Sequence, residues 1–321
     1  MSAAPARARP PAPVPGRYVV RAPASSANLG AGFDALGVAL DRWLECEIEL
    51  SRAEPGADEG GGAGGEGRSL VARTFLRAFE AAGVDRRRWR LRIHDRSAIP
   101  VGRGLGSSAA AVVAGLVAAN RALADPLAPE ELLALATREE GHPDNAAAAL
   151  LGGLTAAAAV EGRVVAVRLE PPPVLRFAAL VPEQPLFTRA SRAVLPEAVA
   201  WPTMAQAVQQ ATTLLAALLA GRLELLPVLA RGDLHERPRA ALVPGLGEAM
   251  AQLRRAGLPV TLSGSGPSLL VWLHPRDREE EERAEAALAA ALRLLERAGT
   301  PSRLLHLRPA LAGASAERLE P

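Results

Sequence analysis

The chain has 321 residues, enough for one or two hydrophobic cores, and its 37 basic residues nearly balance its 35 acidic residues. All the basic residues are arginines, and the absence of lysine excludes both a Walker A phosphate loop and Schiff-base catalysis. The sequence shows neither a basic segment with interspersed aromatic residues nor an uncharged apolar run of membrane-spanning length, so it predicts no nucleic-acid partner and no membrane partner.

The N-terminal residues and the cysteine content indicate the cellular compartment. Residues 1–16 are rich in Ala, Pro and Arg and lack the apolar segment of a secretory signal, so we expect a disordered tail there. The single cysteine, Cys46, cannot form an internal disulfide. Both features fit a cytoplasmic protein.

The first half of the chain predicts a mixture of strands and helices. Between Trp43 and Leu50 apolar residues alternate with glutamates, which indicates a half-buried strand. The run from Ser107 to Leu123 is nearly all apolar, which predicts a buried helix. By the same criteria we expect strands at 17–21 and 89–100, helices at 70–82 and 129–140, a hairpin of strands 154–160 and 163–169, and a flexible surface loop at 54–68.

The second half begins after the triple proline at residues 171–173, which we take as the domain boundary. Strands are predicted at 175–181, 260–263, 268–273 and 303–307, with helices at 203–256 and 277–298. Merging the central helices gives the order β-α-β-β-α-β of a ferredoxin-like, split-βαβ domain. The sequence therefore predicts an α+β protein with an N-terminal domain at residues 17–170 and a C-terminal domain at residues 171–321.

A glycine-rich segment, Pro100-Val-Gly-Arg-Gly-Leu-Gly-Ser-Ser-Ala-Ala110, precedes the buried helix. Its glycines allow the backbone to approach a ligand closely, and the free amides and positive dipole at a helix N-terminus favour an anion. These features favour a phosphate site. A glycine turn with a serine helix cap remains the alternative.

Three further polar segments carry candidate functional residues. The first of them is Pro23-Ala-Ser-Ser-Ala-Asn-Leu-Gly-Ala-Gly-Phe-Asp34, for which an ordinary polar loop is the alternative to a functional role. Glu140-Gly-His-Pro-Asp-Asn145 can serve only to cap helix ends, and Leu262-Ser-Gly-Ser-Gly-Pro-Ser268 can be a simple hairpin turn.

Together, and in this order, the four segments resemble the galactokinase, homoserine kinase, mevalonate kinase and phosphomevalonate kinase (GHMP) superfamily, and most closely its homoserine kinases. The resemblance extends over residues 17–320, with further matches at Thr188, Arg192 and Arg239. It implies a two-domain GHMP kinase fold, an N-terminal domain that binds ATP, and phosphorylation of L-homoserine on the way to threonine. Because homodimers are common in this family, it also implies a homodimer.

The resemblance implies a nucleotide site on the glycine-rich loop. ATP would bind there together with Mg²⁺, which Ser107 or Ser108 and Glu140 would hold. Ser69 occupies the position at which family members often carry an adenine-contacting asparagine. The full set implied for the nucleotide is Ser69, Pro100, Gly102, Arg103, Gly104, Leu105, Gly106, Ser107, Ser108 and Ala109.

The resemblance also implies an amino-acid site. Asp34 is the natural partner of a substrate ammonium group, and Arg192 and Arg239 suit its carboxylate. The full set implied for the substrate is Asn28, Asp34, His142, Asp144, Thr188, Arg192, Arg239, Gly264 and Gly266, with catalytic roles for Glu140, Asn145 and Arg192. Two alternatives remain: another small-molecule kinase of the superfamily, and a non-catalytic relative that only binds a ligand.

Overall fold

A computed structural model describes residues 12–53, 69–232, 234–275 and 277–320. The surface loop predicted at 54–68 lies outside these ranges, as do residues 1–11 of the predicted tail. The tail prediction extends too far, because the Val14 N–H donates to the Ala122 carbonyl (2.8 Å) and Gly16 begins the first strand.

The strands belong to two antiparallel sheets. The described residues form β1 (Gly16–Ala27), β2 (Leu36–Arg52), β3 (Trp89–Ser97), β4 (Leu154–Val160), β5 (Arg163–Leu169), β6 (Arg176–Pro182), β7 (Val260–Leu262), β8 (Leu269–Leu273), β9 (Ser302–Leu307) and β10 (Ser315–Arg318). The first sheet has the order β10-β1-β2-β4-β5, with β3 also paired to β2, and the second has the order β7-β8-β6-β9.

The helices lie between these strands in the sequence. The described residues form α1 (Leu70–Ala81), α2 (Ser107–Ala122), α3 (Pro129–Glu140), α4 (Asp144–Leu151), α5 (Thr188–Ala193), α6 (Trp201–Leu219), α7 (Leu226–Leu229), α8 (Glu236–Ala240), α9 (Leu246–Arg255) and α10 (Arg278–Arg297). Short 3₁₀ turns cover Arg86–Arg88 and Leu223–Leu225. None of the helices in the described ranges is both long and apolar enough to cross a membrane.

The N-terminal core forms where α2 packs between the first sheet and α1. Its alanine and valine side chains are almost all buried, as expected for a helix that is apolar on every side. At Gly115 a Cβ atom would lie 2.1 Å from Thr74 Oγ1 and 2.4 Å from the Val71 carbonyl, so glycine allows α1 and α2 to pack closely. This buried helix fixes the position of the glycine-rich loop that precedes it.

The C-terminal sheet confirms the predicted split-βαβ order. β6 and β7 both pair with β8, and β9 pairs with the other edge of β6. Leu262, Leu269 and Leu288 are completely buried in the core between this sheet and the helices α9 and α10. The α+β, two-domain fold class is therefore confirmed.

Several elements differ from the sequence-based prediction, including β2, which begins at Leu36 and not at Trp43, and α5, which was not predicted. β1 continues through Ser25 and Ser26 to Ala27, where a loop was predicted after Pro23. α4 was not predicted at all, and neither was β10. Because β10 pairs with β1, the segment 171–321 contributes one strand to the first sheet. The division between domains at residue 170 stays a prediction.

Candidate active site

The glycine-rich loop lies against the turn that joins β7 to β8. Gly102, Gly104 and Gly106 all have positive φ values between 68° and 72°, a conformation that costs little only for glycine. A Cβ atom on Gly104 would lie 2.2 Å from the Ser263 carbonyl oxygen, and the Ser263 hydroxyl donates to the Gly104 carbonyl at 2.7 Å. The C-terminal domain therefore supports the backbone of the loop directly.

The N-terminus of α2 meets the C-terminus of α3. The Ser108 hydroxyl donates to Glu140 Oε1 at 2.6 Å, and Ser107 is the first residue of α2. α3 ends at Gly141 in the left-handed conformation, which places Glu140 at the helix end that faces the loop. Burial raises the pKa of Glu140, although the bond from Ser108 opposes this effect.

Asn28 connects two of the predicted segments. Its side-chain N–H donates to the Gly264 carbonyl at 2.8 Å, and its Oδ1 accepts the backbone N–H of Asp34 at 2.9 Å. Asn28 and Asp34 both have positive φ values, 69° and 54°, which asparagine and aspartate tolerate better than most residues. The amide of Asn28 thus fixes the loop that carries Asp34.

Asp34 and Arg192 form a two-point ion pair between the two domains. Arg192 Nη2 donates to Asp34 Oδ1 at 2.7 Å, and Arg192 Nη1 donates to Asp34 Oδ2 at 3.1 Å. The guanidinium also lies 5.7 Å from the ring centre of Phe33. About a third of each of the two charged side chains is exposed (37% for Arg192 and 33% for Asp34), so both remain accessible to a small ligand.

His142 and Asp144 form a second polar pair close to Asp34. His142 Nδ1 lies 2.6 Å from Asp144 Oδ1, which also accepts the backbone N–H of Asn145 at 2.7 Å. Burial lowers the pKa of His142, but the hydrogen bond and negative charge of Asp144 outweigh it, and the net effect is a raised pKa. Ligand atoms of Asp34, His142 and Asp144 all lie within 4.8 Å of one another.

Arg239 is buried beneath this cluster, with 2% of its surface exposed. Its Nη1 donates to the Gly264 carbonyl (3.1 Å) and to His235 Nδ1 (3.3 Å), and its Nε donates to the Ser191 carbonyl (3.4 Å). Its guanidinium lies 5.3 Å from the ring centre of Phe33. Burial is the main reason that its pKa is lowered, to about 10, so the group remains charged near neutral pH.

A cavity of about 510 Å³ is lined by six of the ten predicted nucleotide residues and three of the nine predicted substrate residues, together with Glu140 and Asn145. Its predicted members are Ser69, Gly102, Gly104, Gly106, Ser107, Ser108, Glu140, His142, Asn145, Thr188 and Gly264. Phe187 and Ser265 also line the cavity and were not among the predicted site residues, although Ser265 lies within the Leu262–Ser268 segment and Phe187 directly precedes Thr188.

The other predicted residues lie outside the lining of this cavity. Pro100, Leu105 and Ala109 are buried, and the Arg103 side chain donates to the backbone carbonyls of Pro182 and Glu183. Asn28, Asp34, Asp144, Arg192, Arg239 and Gly266 also lie outside the lining. The guanidinium of Arg103 also donates to the Val101 carbonyl, so backbone carbonyls hold it, and its predicted contact with the nucleotide stays a prediction.

The oxygen atoms beside α2 fit a magnesium ion. Mg²⁺ prefers oxygen ligands and is commonly held by one or two protein groups together with phosphates and water. Glu140 and Ser108 already place a carboxylate oxygen and a hydroxyl oxygen side by side at the cavity wall. The donor set therefore fits the metal that the resemblance implies.

Comparison with protein families first defines the class. Residues 69–153 match the model described as "GHMP kinases N terminal domain", and residues 214–296 match the model described as "GHMP kinases C terminal". The first match includes the glycine-rich loop and Glu140, and the second includes α8, α9 and the β7–β8 turn. The fold and the loop are thus those of a GHMP kinase.

Individual relatives define the family within this class. The chain is 41% identical to the homoserine kinase of Moorella thermoacetica over 92% of this chain and 98% of that protein. A crystal structure of homoserine kinase from Cytophaga hutchinsonii matches with a TM-score of 0.80 at 26% identity, covering 94% of this chain and 98% of that one. The chain belongs to the homoserine kinase family, and it is an ATP-dependent kinase.

A more distant structure shares the fold alone. Mevalonate diphosphate decarboxylase from Staphylococcus aureus matches with a TM-score of 0.68 at 17% identity, over 95% of this chain and 99% of that chain. The same two-domain scaffold therefore carries different chemistries, and the particular reaction has to be argued from the side chains.

Proposed function

We propose that this protein transfers the γ-phosphoryl group of ATP to the side-chain hydroxyl of L-homoserine, giving O-phospho-L-homoserine on the way to threonine. One observation carries the proposal. The cavity that contains the glycine-rich loop also contains His142, which has a ligand atom within 4.8 Å of one on Asp34, and Asp34 pairs with Arg192. A phosphate site and a site for a zwitterion are therefore neighbours.

The nucleotide half of the site is built from backbone amides. Phosphates of ATP bind at the loop from Gly102 to Gly106 and at the positive end of α2, where free N–H groups and the helix dipole favour negative charge. Glu140 and Ser108, or Ser107, would hold Mg²⁺. The ion would neutralise charge that develops on the phosphate oxygens during transfer.

The substrate half matches the two charges of an amino acid. The carboxylate of Asp34 binds the ammonium group, and the guanidinium groups of Arg192 and Arg239 bind the carboxylate. Mevalonate carries a carboxylate but no ammonium group, so it leaves Asp34 without a partner. The exposed third of Asp34 and Arg192 is the surface that such a ligand would contact.

The remaining residues orient the reacting hydroxyl. Asn145 is fixed by donating to the Ser25 hydroxyl at 2.9 Å, and Asp144 fixes His142 through Nδ1. Phosphoryl transfer depends mainly on positioning and on stabilising charge, so it does not require a strong base. The hydrogen bond and negative charge of Asp144 raise the pKa of His142, which favours its protonated form beside Asp34.

Release of ADP tests the proposal. The purified chain should release ADP from MgATP when L-homoserine is present, and only slowly with mevalonate or without an acceptor. Stimulation by mevalonate in place of homoserine would favour another GHMP kinase. ATP binding without stimulation by either acceptor would favour a non-catalytic relative.

A further inference from the structure

A short segment of the C-terminal domain crosses the glycine-rich loop. Residues 183–187 connect β6 to α5 and form no helix or strand of their own. Within this segment the Leu186 N–H donates to the Gly102 carbonyl at 2.9 Å. A Cβ atom on Gly102 would lie 3.6 Å from Cε1 of Phe187, so the aromatic ring lies against the loop as well. Because Leu186 and Phe187 line the active-site cavity, the segment is part of its wall.

The guanidinium group of Arg103 joins the loop to the start of this segment. Its Nε donates to the Pro182 carbonyl at 3.1 Å, and its Nη2 donates to the Glu183 carbonyl. A planar guanidinium presents several donors in a fixed arrangement, so it can hold two consecutive carbonyls in one orientation. Arg103 lies outside the lining of the active-site cavity, although Gly102 and Gly104 on either side of it line the cavity.

The loop has further supports of its own, whereas the segment is mostly exposed. The Gly104 carbonyl accepts the Ser263 hydroxyl, and the Leu105 carbonyl accepts the Ser25 N–H at 3.1 Å. In the segment, four of the five residues are exposed, so burial of apolar surface contributes little to its position. Segments with few buried contacts open at low free-energy cost. Loss of the guanidinium should therefore release the segment and leave the loop in place.

The segment leads directly into α5, which carries Arg192. α5 has only six residues, and isolated helices shorter than about 12 residues are marginally stable in water. The orientation of α5 therefore depends on what holds it. On one side the Ser191 hydroxyl donates to the Ser265 carbonyl at 2.6 Å. The segment holds the N-terminal end, and Arg192 reaches Asp34 from a helix fixed in this way.

We propose that Arg103 is a positioning residue for the substrate. By holding the carbonyls of Pro182 and Glu183 it fixes the segment that precedes α5. The segment in turn directs Arg192 toward Asp34 and the substrate. This inference rests on the proposed role of Arg192 in binding the carboxylate of homoserine. It gives Arg103 a role different from the nucleotide contact that the resemblance implies.

Kinetics and calorimetry of Arg103→Met test the proposal. Methionine keeps the apolar stem of the side chain and removes the guanidinium. The KM for homoserine should rise roughly three- to tenfold, because two hydrogen bonds from a charged group are lost. The change in kcat should be smaller, and the affinity for a non-hydrolysable ATP analogue with Mg²⁺ should stay at the wild-type value. Arg103→Lys keeps the charge but not the planar arrangement of donors, so its KM should also be raised.

Two further variants separate positioning from a general structural role. Arg42→Met is the matched control, because Arg42 Nε also donates to a backbone carbonyl, that of Ala98 at 2.9 Å, and lies outside the cavity lining. This control should keep the wild-type KM. The double variant Arg103→Met/Arg192→Leu should have nearly the kcat/KM of Arg192→Leu alone, because Arg103 acts through Arg192.

The outcomes that contradict the inference are distinct from those that contradict the proposed function. A wild-type KM in Arg103→Met, beside a reduced kcat/KM in Arg192→Leu, would overturn this inference alone, and so would multiplicative losses in the double variant. A loss confined to nucleotide affinity would assign Arg103 to the nucleotide instead. Wild-type homoserine kinetics in Arg192→Leu would overturn the proposed function and this inference together. If Arg103→Met fails to fold, Arg103→Lys serves the same comparison.

Discussion

Asp34 and Arg192 bind each other in the structure through two parallel hydrogen bonds, at 2.7 and 3.1 Å. These are the two side chains that the proposed function assigns to the ammonium and the carboxylate of the substrate. The charges of the pair are complementary to those of a zwitterion. An amino acid can therefore replace the internal pair with two new pairs and leave neither charge without a partner.

Single and double variants at this pair should show strong coupling. Arg192→Leu should lower kcat/KM for homoserine roughly ten- to a hundredfold, since charge-assisted hydrogen bonds contribute about 1.5–3 kcal/mol. Asp34→Asn should have a similar effect, and the double variant should lose less than the product of the two. Steady-state kinetics provide the measurement.

The control for this cycle is Arg189→Leu, an exposed arginine on the same helix α5. It should keep wild-type kinetics with homoserine. Purely multiplicative losses in the double variant would show that Asp34 and Arg192 act independently.

Arg239→Leu should reduce stability as well as substrate binding. Its buried guanidinium donates to the carbonyls of Ser191 and Gly264, so its removal takes away the Ser191 bond and leaves the Gly264 carbonyl with Asn28 as its remaining side-chain donor. The expected loss is about 1–3 kcal/mol in the free energy of unfolding, measured by urea denaturation. Arg192→Leu should unfold close to the wild-type midpoint because Arg192 is partly exposed. An Arg239→Leu variant as stable as the wild type would contradict the structural role.

Glu140→Gln should lower activity because it weakens the binding of Mg²⁺. The amide keeps the size of the side chain and can still bond to Ser108, but it lacks the charge that attracts Mg²⁺. The concentration of Mg²⁺ that gives half-maximal activity should therefore rise. Glu139→Gln is the matched control, since Glu139 pairs with Arg77 and lies outside the cavity lining. An unchanged Mg²⁺ requirement in Glu140→Gln would assign the metal to other residues.

The pH dependence of stability should reveal the pair of His142 and Asp144. Because the pKa of His142 is raised above 6.5 in the folded state, protonated His142 stabilises the fold. This contribution to stability is complete at pH values below the pKa of His142 in the unfolded chain. It is lost as the pH rises through the pKa of His142 in the folded protein. His142→Gln should therefore lose more stability at about pH 6 than at about pH 8.5. An equal loss at both pH values, measured by urea denaturation, would contradict it.

Gly104→Ala should disrupt the glycine-rich loop for two reasons: alanine is strained at a positive φ, and its Cβ atom would also clash with Ser263. The matched control is Gly162→Ala, in the β4–β5 turn. Both glycines have positive φ, but a Cβ on Gly162 meets no atom within 4 Å, whereas one on Gly104 would lie 2.2 Å from Ser263 O. Gly162→Ala should cost about 1–2 kcal/mol in unfolding free energy. Gly104→Ala should lower the free energy of unfolding by more than this, and it should also weaken nucleotide binding. Calorimetric titration with an ATP analogue measures the binding. Equal losses of stability in the two variants, with nucleotide affinity intact in Gly104→Ala, would contradict the close approach of the loop to Ser263.

Most of the fold could be predicted from the sequence because apolar residues recur with a clear helical or strand periodicity in most elements. α4 was missed because Asp144–Leu151 is all alanine and leucine after its first two residues and has only eight residues: it shows no polar face, and unlike the longer α2 it is too short for an apolar run to indicate a helix. β10 was missed for a different reason: its alternation is short and polar, and pairing with β1 decides its conformation.

The site residues were predicted as a set, but their mutual contacts were not. Motif spacing identified Asp34 and Arg192 separately, yet their bond joins residues 158 positions apart. Burial of Arg239 and the bonds of Arg103 to backbone carbonyls likewise depend on how the two domains pack. The periodicity of apolar residues indicates only whether a side chain faces the core or the solvent. Contacts between residues far apart in the sequence therefore require the three-dimensional structure.

The pairing of β10 with β1 has a consequence for biosynthesis. Tyr18, Val19, Val20 and Arg21 of β1 receive their partners on this edge from residues 315–318, which are translated after every other described strand and helix. Until then β1 presents an unpaired edge, which is prone to pair with other chains. We therefore expect the first sheet to complete its pairing only once β10 has left the ribosome, and nascent chains halted before Ser315 to aggregate more readily than chains that include this strand.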